Sequence, residues 1–297
     1  MPAKFSRHFI YSYKEWGCGV LYKVIYKNQK YILMLNDEHL GEAKISKTLT
    51  KNSERFGGHF QYKIYSQCRN KGHGIVFFKL LLDKCAKMGI KTAFITCPEH
   101  SIGFRKIIEY NEGKLFDRIS YKSGKYYVSI RRYLVNTGYE IKEVLGESFS
   151  LNVENMINIY GKEISLELDK IYGKNSNAIE SYVYSIKDRA DNVVGRISFI
   201  AGISEDTYYR GNIGYNIVEK YRGNNYAQIA TKMLINVLCD NGYKYDFVIT
   251  VNPDNLASKR ICENLGAKLL EIVELPQHSD MYEVGERYKY RYIIVNL

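Results

Sequence analysis

Residues 58–74 read GHFQYKIYSQCRNKGHG and residues 211–227 read GNIGYNIVEKYRGNNYA. The two stretches align without a gap at an offset of 153, matching Gly58 with Gly211, Tyr62 with Tyr215, Ile64 with Ile217 and Arg69 with Arg222. In each, a strand-like run ends in Arg, passes through a turn of small residues and enters a helix-forming stretch. The repeat continues downstream. The apolar-periodic stretches 75–88 and 228–241 both run out at a glycine, Gly89 and Gly242. β-type runs follow at 92–96 and 247–251, then second helices at 104–110 and 257–265. From there the offset is 154, as it is upstream at Leu40-Gly41 and Val194-Gly195. A period of one domain length means two copies of one fold, since solenoid repeats run about 20–50 residues.

The rest of the chain fits that frame. At 297 residues with 45% apolar and 25% charged side chains, both copies can bury a core. No run of about 18 apolar residues occurs, so no membrane span is expected, and the first residues lack the apolar core of a signal peptide. The six cysteines show no CxxC or His/Cys spacing, which predicts no metal site and free thiols in a reducing cytoplasm. Charge divides unevenly, with +15 over residues 1–138 and −4 over the remainder. A basic first half suits a polyanion or docking against an acidic partner. Its lysines never form a run of five, which favours solvated surface or docking between halves.

β-type runs at 20–26, 31–35 and 39–45 open the first half, and a hairpin of 114–120 and 126–134 closes it. The break between halves falls at Asn136-Thr137-Gly138, giving domains 1–136 and 139–297. In the second half, apolar spacing at Met156, Ile157, Tyr160 and Ile164 predicts a helix over 153–168. Strands follow at 181–186 and 194–200, and the terminal hairpin of 269–275 and 288–295 carries a longer loop, 276–287. Strands alternating with helices predict an α/β (α+β) fold in each half, a mixed and mostly antiparallel sheet flanked by helices.

The two turns have the makings of anion sites. Small residues between a strand and a helix let successive backbone N–H groups face one anion, assisted by the helix dipole. Arg69-Asn70-Lys71-Gly72-His73-Gly74 and Arg222-Gly223-Asn224-Asn225-Tyr226-Ala227 are the candidates.

On these residues the chain resembles the GNAT superfamily of N-acetyltransferases, whose acetyl-CoA signature is Arg-x-x-Gly-x-Gly/Ala between a strand and a helix. Arg69, Gly72 and Gly74 match it fully; Arg222, Asn225 and Ala227 match with Asn at the first glycine, the next-best residue for a left-handed backbone. A second signature, Asn followed by small residues, is present at Asn255-Leu-Ala257-Ser258 and replaced by Ser101-Ile-Gly103-Phe104 in the first half. The resemblance covers about residues 30–134 and 150–297 and implies tandem GNAT-like domains. It implies acetyl-CoA as cofactor, with pyrophosphate at 222–227 and the acetyl-pantetheine end along Ile217 and Val218, or along Ile64 and Tyr65 in the first copy. Asn255 and Ser258 would lie beside the pantetheine arm. The amine would attack the thioester directly, helped by a backbone N–H at the oxyanion.

Family members often carry a Tyr on the second helix as proton donor; the position here is Cys262, with Ile108 in the first copy. Glu219 is a candidate base, and Tyr282 and Tyr288 are alternative acids. The helical arm, the Asn255 signature and the longer loop predict catalysis in the second half, with the first a degenerate copy. The expected acceptor is a small amine or peptide amine; monomer and homodimer both remain open. Two other classes fit less of the sequence: a non-catalytic acyl-CoA sensor, and a tRNA-dependent aminoacyl transferase. Retention of both turns argues against the RNA partner.

Overall fold

A computed structural model describes residues 11–14, 21–141, 156–173 and 179–295. The chain divides into two compact units, 1–140 and 141–297. Unit 1 begins with strands β1 (Tyr11–Lys14), β2 (Leu21–Lys27), β3 (Lys30–Leu35) and β4 (Glu38–Ile45). Helix α1 (Lys51–Phe56), β5 (Phe60–Ile64), α2 (His73–Lys87), β6 (Thr92–Pro98), α3 (Ile102–Tyr110), β7 (Lys114–Ser123) and β8 (Tyr126–Asn136) follow. The first five strands form one sheet in sequence order, and a second has the order β6-β8-β7.

Unit 2 opens with β9 (Asn158–Tyr160), β10 (Ile164–Tyr172), β11 (Ser181–Asp188) and β12 (Val193–Ile200). It continues through α4 (Glu205–Arg210), β13 (Ile213–Ile217), α5 (Tyr226–Asp240), β14 (Phe247–Val251), α6 (Leu256–Asn264), β15 (Lys268–Glu274), α7 (Asp280–Glu283) and β16 (Tyr288–Ile294). Its sheets are β13-β12-β11-β10-β9 and β14-β16-β15. Within all four sheets the strand pairs are antiparallel.

The sequence repeat is a repeat of structure down to single contacts. Gly41 pairs with Ile64 on β4–β5, and Gly195 with Ile217 on β12–β13. A Cβ at either glycine would lie 2.4 Å from a carbonyl of the neighbouring strand, Lys63 O or Asn216 O, which excludes any side chain there. His59 N donates to Phe94 O at 2.7 Å and Asn212 N to Val248 O at 2.7 Å, joining the two sheets of each unit at one end. Otherwise β5 and β6, and β13 and β14, are not paired as strands, and each is an edge of its own sheet. Helices α2 and α5 bury equivalent stripes, Phe77, Phe78, Leu81 and Cys85 against Ala230, Thr231, Leu234 and Leu238, the i, i+1, i+4, i+8 pattern of a core-facing helix.

The helix expected over 153–168 is not formed. Residues 153–155 lie outside the described ones; from Asn158 the chain is the β9–β10 hairpin. Alternation decides it: Ile164 and Leu166 are buried, whereas Ser165 and Glu167 are more exposed, which is a strand period. Gly161 makes the turn, and a Cβ there would meet Met233 Sδ at 2.7 Å and Ile164 O at 2.9 Å. Three short helices escaped the sequence reading, α1, α4 and α7. Both α1 and α4 start from capping boxes, Thr50 with Ser53 and Ser204 with Thr207, whose Ser/Thr third residue in place of Glu gives a weaker signal.

Candidate active site

The turns keep their geometry across the repeat. A 3-10 turn (66–68, 219–221) leads to an extended Arg69 or Arg222. Two left-handed residues follow, Asn70 (φ 61°) and Gly72 (φ 82°) in the first copy, Gly223 (φ 88°) and Asn225 (φ 59°) in the second. The glycine and asparagine have exchanged places while the backbone has not changed. Each arginine folds back so that Nε donates to the last carbonyl of the preceding strand, Arg69 to Ile64 O at 3.1 Å and Arg222 to Ile217 O at 3.2 Å. The arginines thus brace the strand end, leaving the first-turn amides of the helix, which have no intrahelical acceptor, to meet an anion.

What surrounds the two turns differs. In unit 2 a groove of about 580 Å³ runs between β13, the turn and α6. Tyr215, Asn216 and Ile217 line it from the strand, residues 221–228 from the turn and α5, and Asn255, Ala257, Ser258, Arg260, Ile261 and Asn264 from α6. All the second-copy cofactor candidates except Val218 are therefore brought together. Asn255 caps α6, its side-chain oxygen accepting from Ser258 N at 3.0 Å, which leaves the side-chain amide as the donor that a ligand can use. Asn264 Nδ2 donates to Gln228 Oε1 at 3.0 Å and bridges α6 to α5.

In unit 1 the same volume is filled. Phe104, at the position of Ser258, packs edge-on against Tyr62 at 5.4 Å and lies 6.1 Å from Phe78. Ile107 comes so close to α2 that a Cβ on Gly74 would lie 3.1 Å from its Cδ1. His73 faces inward, with Tyr22 Oη 2.9 Å from its Nδ1. Ile64, Tyr65, Arg69, Asn70, Lys71, Gly72, His73 and Gly74 thus surround a turn whose adjoining space holds aromatic and aliphatic side chains.

The proposed acid–base residues stand apart from the groove lining. Glu219 is exposed in the 3-10 turn just beyond β13, its carbonyl accepting from Arg222 N. Tyr282, on α7, carries the Arg287 guanidinium 3.8 Å over its ring and packs on the cluster of Tyr208, Tyr209, Val273 and Leu275. Tyr288 starts β16 opposite Glu274.

Sequence reasoning did not single out a polar network on the second sheet. Glu271, fully buried, pairs with Arg291 and accepts from Tyr208 Oη at 2.6 Å. Asn252, just past β14, joins Lys289 and Glu286 through its two side-chain atoms. Burial pushes the Glu286 carboxyl up, but Lys289 and Asn252 outweigh it and hold the group below the ordinary range. The signal was the run of charges inside an otherwise apolar β16 (YKYRYII), legible only once its partners were known. Among the described residues no cluster of His, Cys, Asp and Glu could hold a metal ion, and no helix is long and apolar enough to cross a membrane.

No curated protein matches the chain. Among solved structures, the microcin C7 self-immunity acetyltransferase MccE, in complex with acetyl-CoA and AMP, is similar at 22% identity, covering 39% of this chain and 61% of that one, with a TM-score of 0.32. The ribosomal L7/L12 α-N-protein acetyltransferase RimL, in complex with coenzyme A, is similar at 20% identity over 39% and 62% of the two chains, TM-score 0.32. An N-acetyltransferase from Staphylococcus aureus Mu50 shares 13% identity over 39% and 68%, TM-score 0.30. The chain thus spans less than two thirds of the first two, and each likeness is to part of this protein. A family model is more specific: residues 159–268, which include β13, the turn, α5 and α6, match the acetyltransferase (GNAT) domain, so unit 2 carries a GNAT acetyltransferase domain.

Proposed function

We propose that unit 2 is an acetyl-CoA-dependent N-acetyltransferase that moves the acetyl group to a primary amine of a small molecule or peptide within a ternary complex. The observation that carries this reading is the groove itself, in which an anion-binding turn, the free edge of β13 and the cap residue Asn255 line one space. The backbone N–H groups at 223–227 hold the pyrophosphate. The free edge of β13 pairs with the pantetheine amides as an added strand would, with Ile217 and Val218 at its end, and a backbone N–H there stabilises the oxyanion.

The amine nitrogen attacks the thioester carbon, the C–S bond breaks with its electron pair going to sulfur, and the amine gives up a proton. Glu219 is the carboxylate nearest in sequence to the end of β13 and takes the role of base, directly or through water. Tyr282 and Tyr288, in the segment after β15, serve as the alternative proton donors. Unit 1 is a copy whose cofactor space is closed, and it is assigned no turnover. The acceptor is read as a cation-bearing amine that meets the 276–287 segment at Glu283, since Asp280 is paired with Arg210 and Glu286 with Lys289.

Thiol release from acetyl-CoA, followed across a panel of polyamines, aminoglycosides and Lys-containing peptides, tests the reading. Amine-dependent release supports it. Acetyl-CoA binding without release for any amine would favour an acyl-CoA sensor, and saturable, salt-sensitive tRNA binding without acetyl-CoA binding would favour an aminoacyl transferase.

A further inference from the structure

The hairpin that closes unit 1 departs from its copy in unit 2 in a way the cofactor groove does not explain. Both hairpins carry an ion pair across the strands just past a bulge, Asp117 with Arg132 and Glu271 with Arg291. One pair further along, unit 2 has Ile272 opposite Tyr290, both buried. Unit 1 has Arg118 opposite Arg131 at the same place. Like charges directly opposite one another destabilise a sheet. Glu99 holds Arg131 through two hydrogen bonds and also feels Arg118 and Arg105, so one carboxylate serves three guanidinium groups. From residue 118 to residue 139 the chain has five basic side chains and no acidic one.

The end of this hairpin stands clear of its sheet. Pairing between β6 and β8 stops at Pro98 and Ile130, so β7 and β8 continue as a two-stranded arm that turns at Gly124, φ 61°. One face of the arm is structural: Tyr121 packs on Phe56, with ring centroids 4.6 Å apart. The other face carries the cross-strand pairs Arg118–Arg131, Ser120–Ser129 and Lys122–Tyr127. Arg118, Ser120 and Lys122 are exposed, as is Lys125 in the turn, and Tyr127 is 78% exposed. The two serine hydroxyls lie 2.8 Å apart. One of them donates to the other, which leaves one hydroxyl hydrogen for an outside acceptor.

An exposed ring beside cations on a flat strand face, with no carboxylate along the strands, has the chemistry of a stacking platform that follows a phosphate backbone. An acidic peptide would meet the cations and leave the ring unused, whereas a nucleotide supplies both a π-face and a phosphate. We propose that this face of the β7–β8 arm docks single-stranded RNA. A base stacks on Tyr127, Arg118, Lys122 and Lys125 meet backbone phosphates, and the serine pair reaches a ribose 2′-hydroxyl. The RNA is here a partner of unit 1 and not an acyl donor, so the proposal stands apart from the acetyltransferase reading of unit 2.

Fluorescence anisotropy of the full chain with a fluorescein-labelled oligo(U) of about 12 nucleotides tests it. Affinity should fall with salt along a log–log slope of about −2, as for three cations on a single strand. Replacing two of them, Lys122→Ser with Lys125→Ser, should flatten the slope to about −0.7. Tyr127→Ala should weaken binding at least about fivefold, whereas Tyr126→Ala, equally exposed but on the opposite face of the ribbon, should bind as wild type. All these side chains are exposed, so melting temperatures should not change. No binding, binding indifferent to salt, or equal losses for the two tyrosines would overturn the platform. Polyglutamate displacing the probe as well as unlabelled oligo(U) does would make the partner an acidic protein segment, and equal affinity for oligo(dT) would overturn the choice of RNA. Acetyl-CoA binding should be unaltered in every variant, so failure here leaves the reading of unit 2 intact.

Discussion

Units 1 and 2 share a turn almost residue for residue and differ in what stands beside it. Both have the 3-10 entry, the arginine braced on the strand end and two left-handed residues. Unit 1 fills the adjoining space with Phe104 and Ile107 and closes Tyr62 onto Gly74. Unit 2 has Ser258, Ile261 and Tyr215 around an open groove. The signature of a phosphate turn therefore reports a backbone shape, and binding capacity lies in the second layer of side chains. By signature alone unit 1, with both glycines, matches better. By geometry unit 2 is the copy with room for a ligand.

That comparison breaks most directly if the filling is transplanted. Ser258→Phe should place in unit 2 the ring that closes unit 1 and weaken acetyl-CoA binding by at least about 100-fold, about 2.8 kcal/mol at 1.4 kcal/mol per tenfold. The melting temperature should stay near wild type, because the ring enters open space. Unaltered affinity in calorimetry would contradict the groove assignment.

The arginines sharpen the comparison. Both substitutions to Ala remove a hydrogen bond to a strand carbonyl, so both should cost about 1 kcal/mol of stability in denaturant titrations. Only Arg222→Ala should also weaken acetyl-CoA, by about tenfold, with Arg69→Ala binding as wild type. Equal effects on binding would mean that both copies take cofactor.

The left-handed positions give a smaller effect. Asn225→Ala should destabilise unit 2 by about 1 kcal/mol, since Ala tolerates φ near +60° poorly, whereas Asn225→Gly should be neutral or slightly stabilising. Equal stability of the two variants would show that the turn does not depend on that conformation.

Acid sensitivity should divide the units least. Glu286 in unit 2 and Glu99 in unit 1, held by Arg131, both have lowered pKa values. A carboxylate with a lowered folded-state pKa adds stability above its unfolded value, here 4.5, and loses it as pH falls through the folded one. Melting temperature should drop below about pH 4.5, and less steeply in Glu286→Gln. An unchanged slope in that variant would remove Glu286 from the account.

Much of this was legible in the sequence because it is local. The strand–turn–helix repeat, the glycines ending α2 and α5, and Asn225 standing for a glycine all follow from φ/ψ demands a few residues wide. Phe104 against Ser258 was also visible as a difference, though not that the ring would close the cofactor space. The helix expected over 153–168 failed because four apolar residues fit a helical period as well as a β period. The close approach of Met233 to Gly161, which leaves no room for a side chain at the hairpin turn, is a tertiary fact. With it goes the argument that a long helical arm singles out unit 2; the open groove now carries that distinction. The change of donor at the first-turn carbonyl, from Tyr62 on Gly74 in unit 1 to Thr231 on Ala227 in unit 2, was out of reach for the same reason, since it links residues whose proximity only the packed helix reveals.

The central claim is that one copy is open and the other closed. Calorimetric titration of the full chain with acetyl-CoA, repeated with Ser258→Phe and Arg69→Ala, tests it most directly. The account predicts one site per chain, abolished by Ser258→Phe and indifferent to Arg69→Ala. Two sites, or a single site that survives Ser258→Phe and disappears with Arg69→Ala, would contradict it.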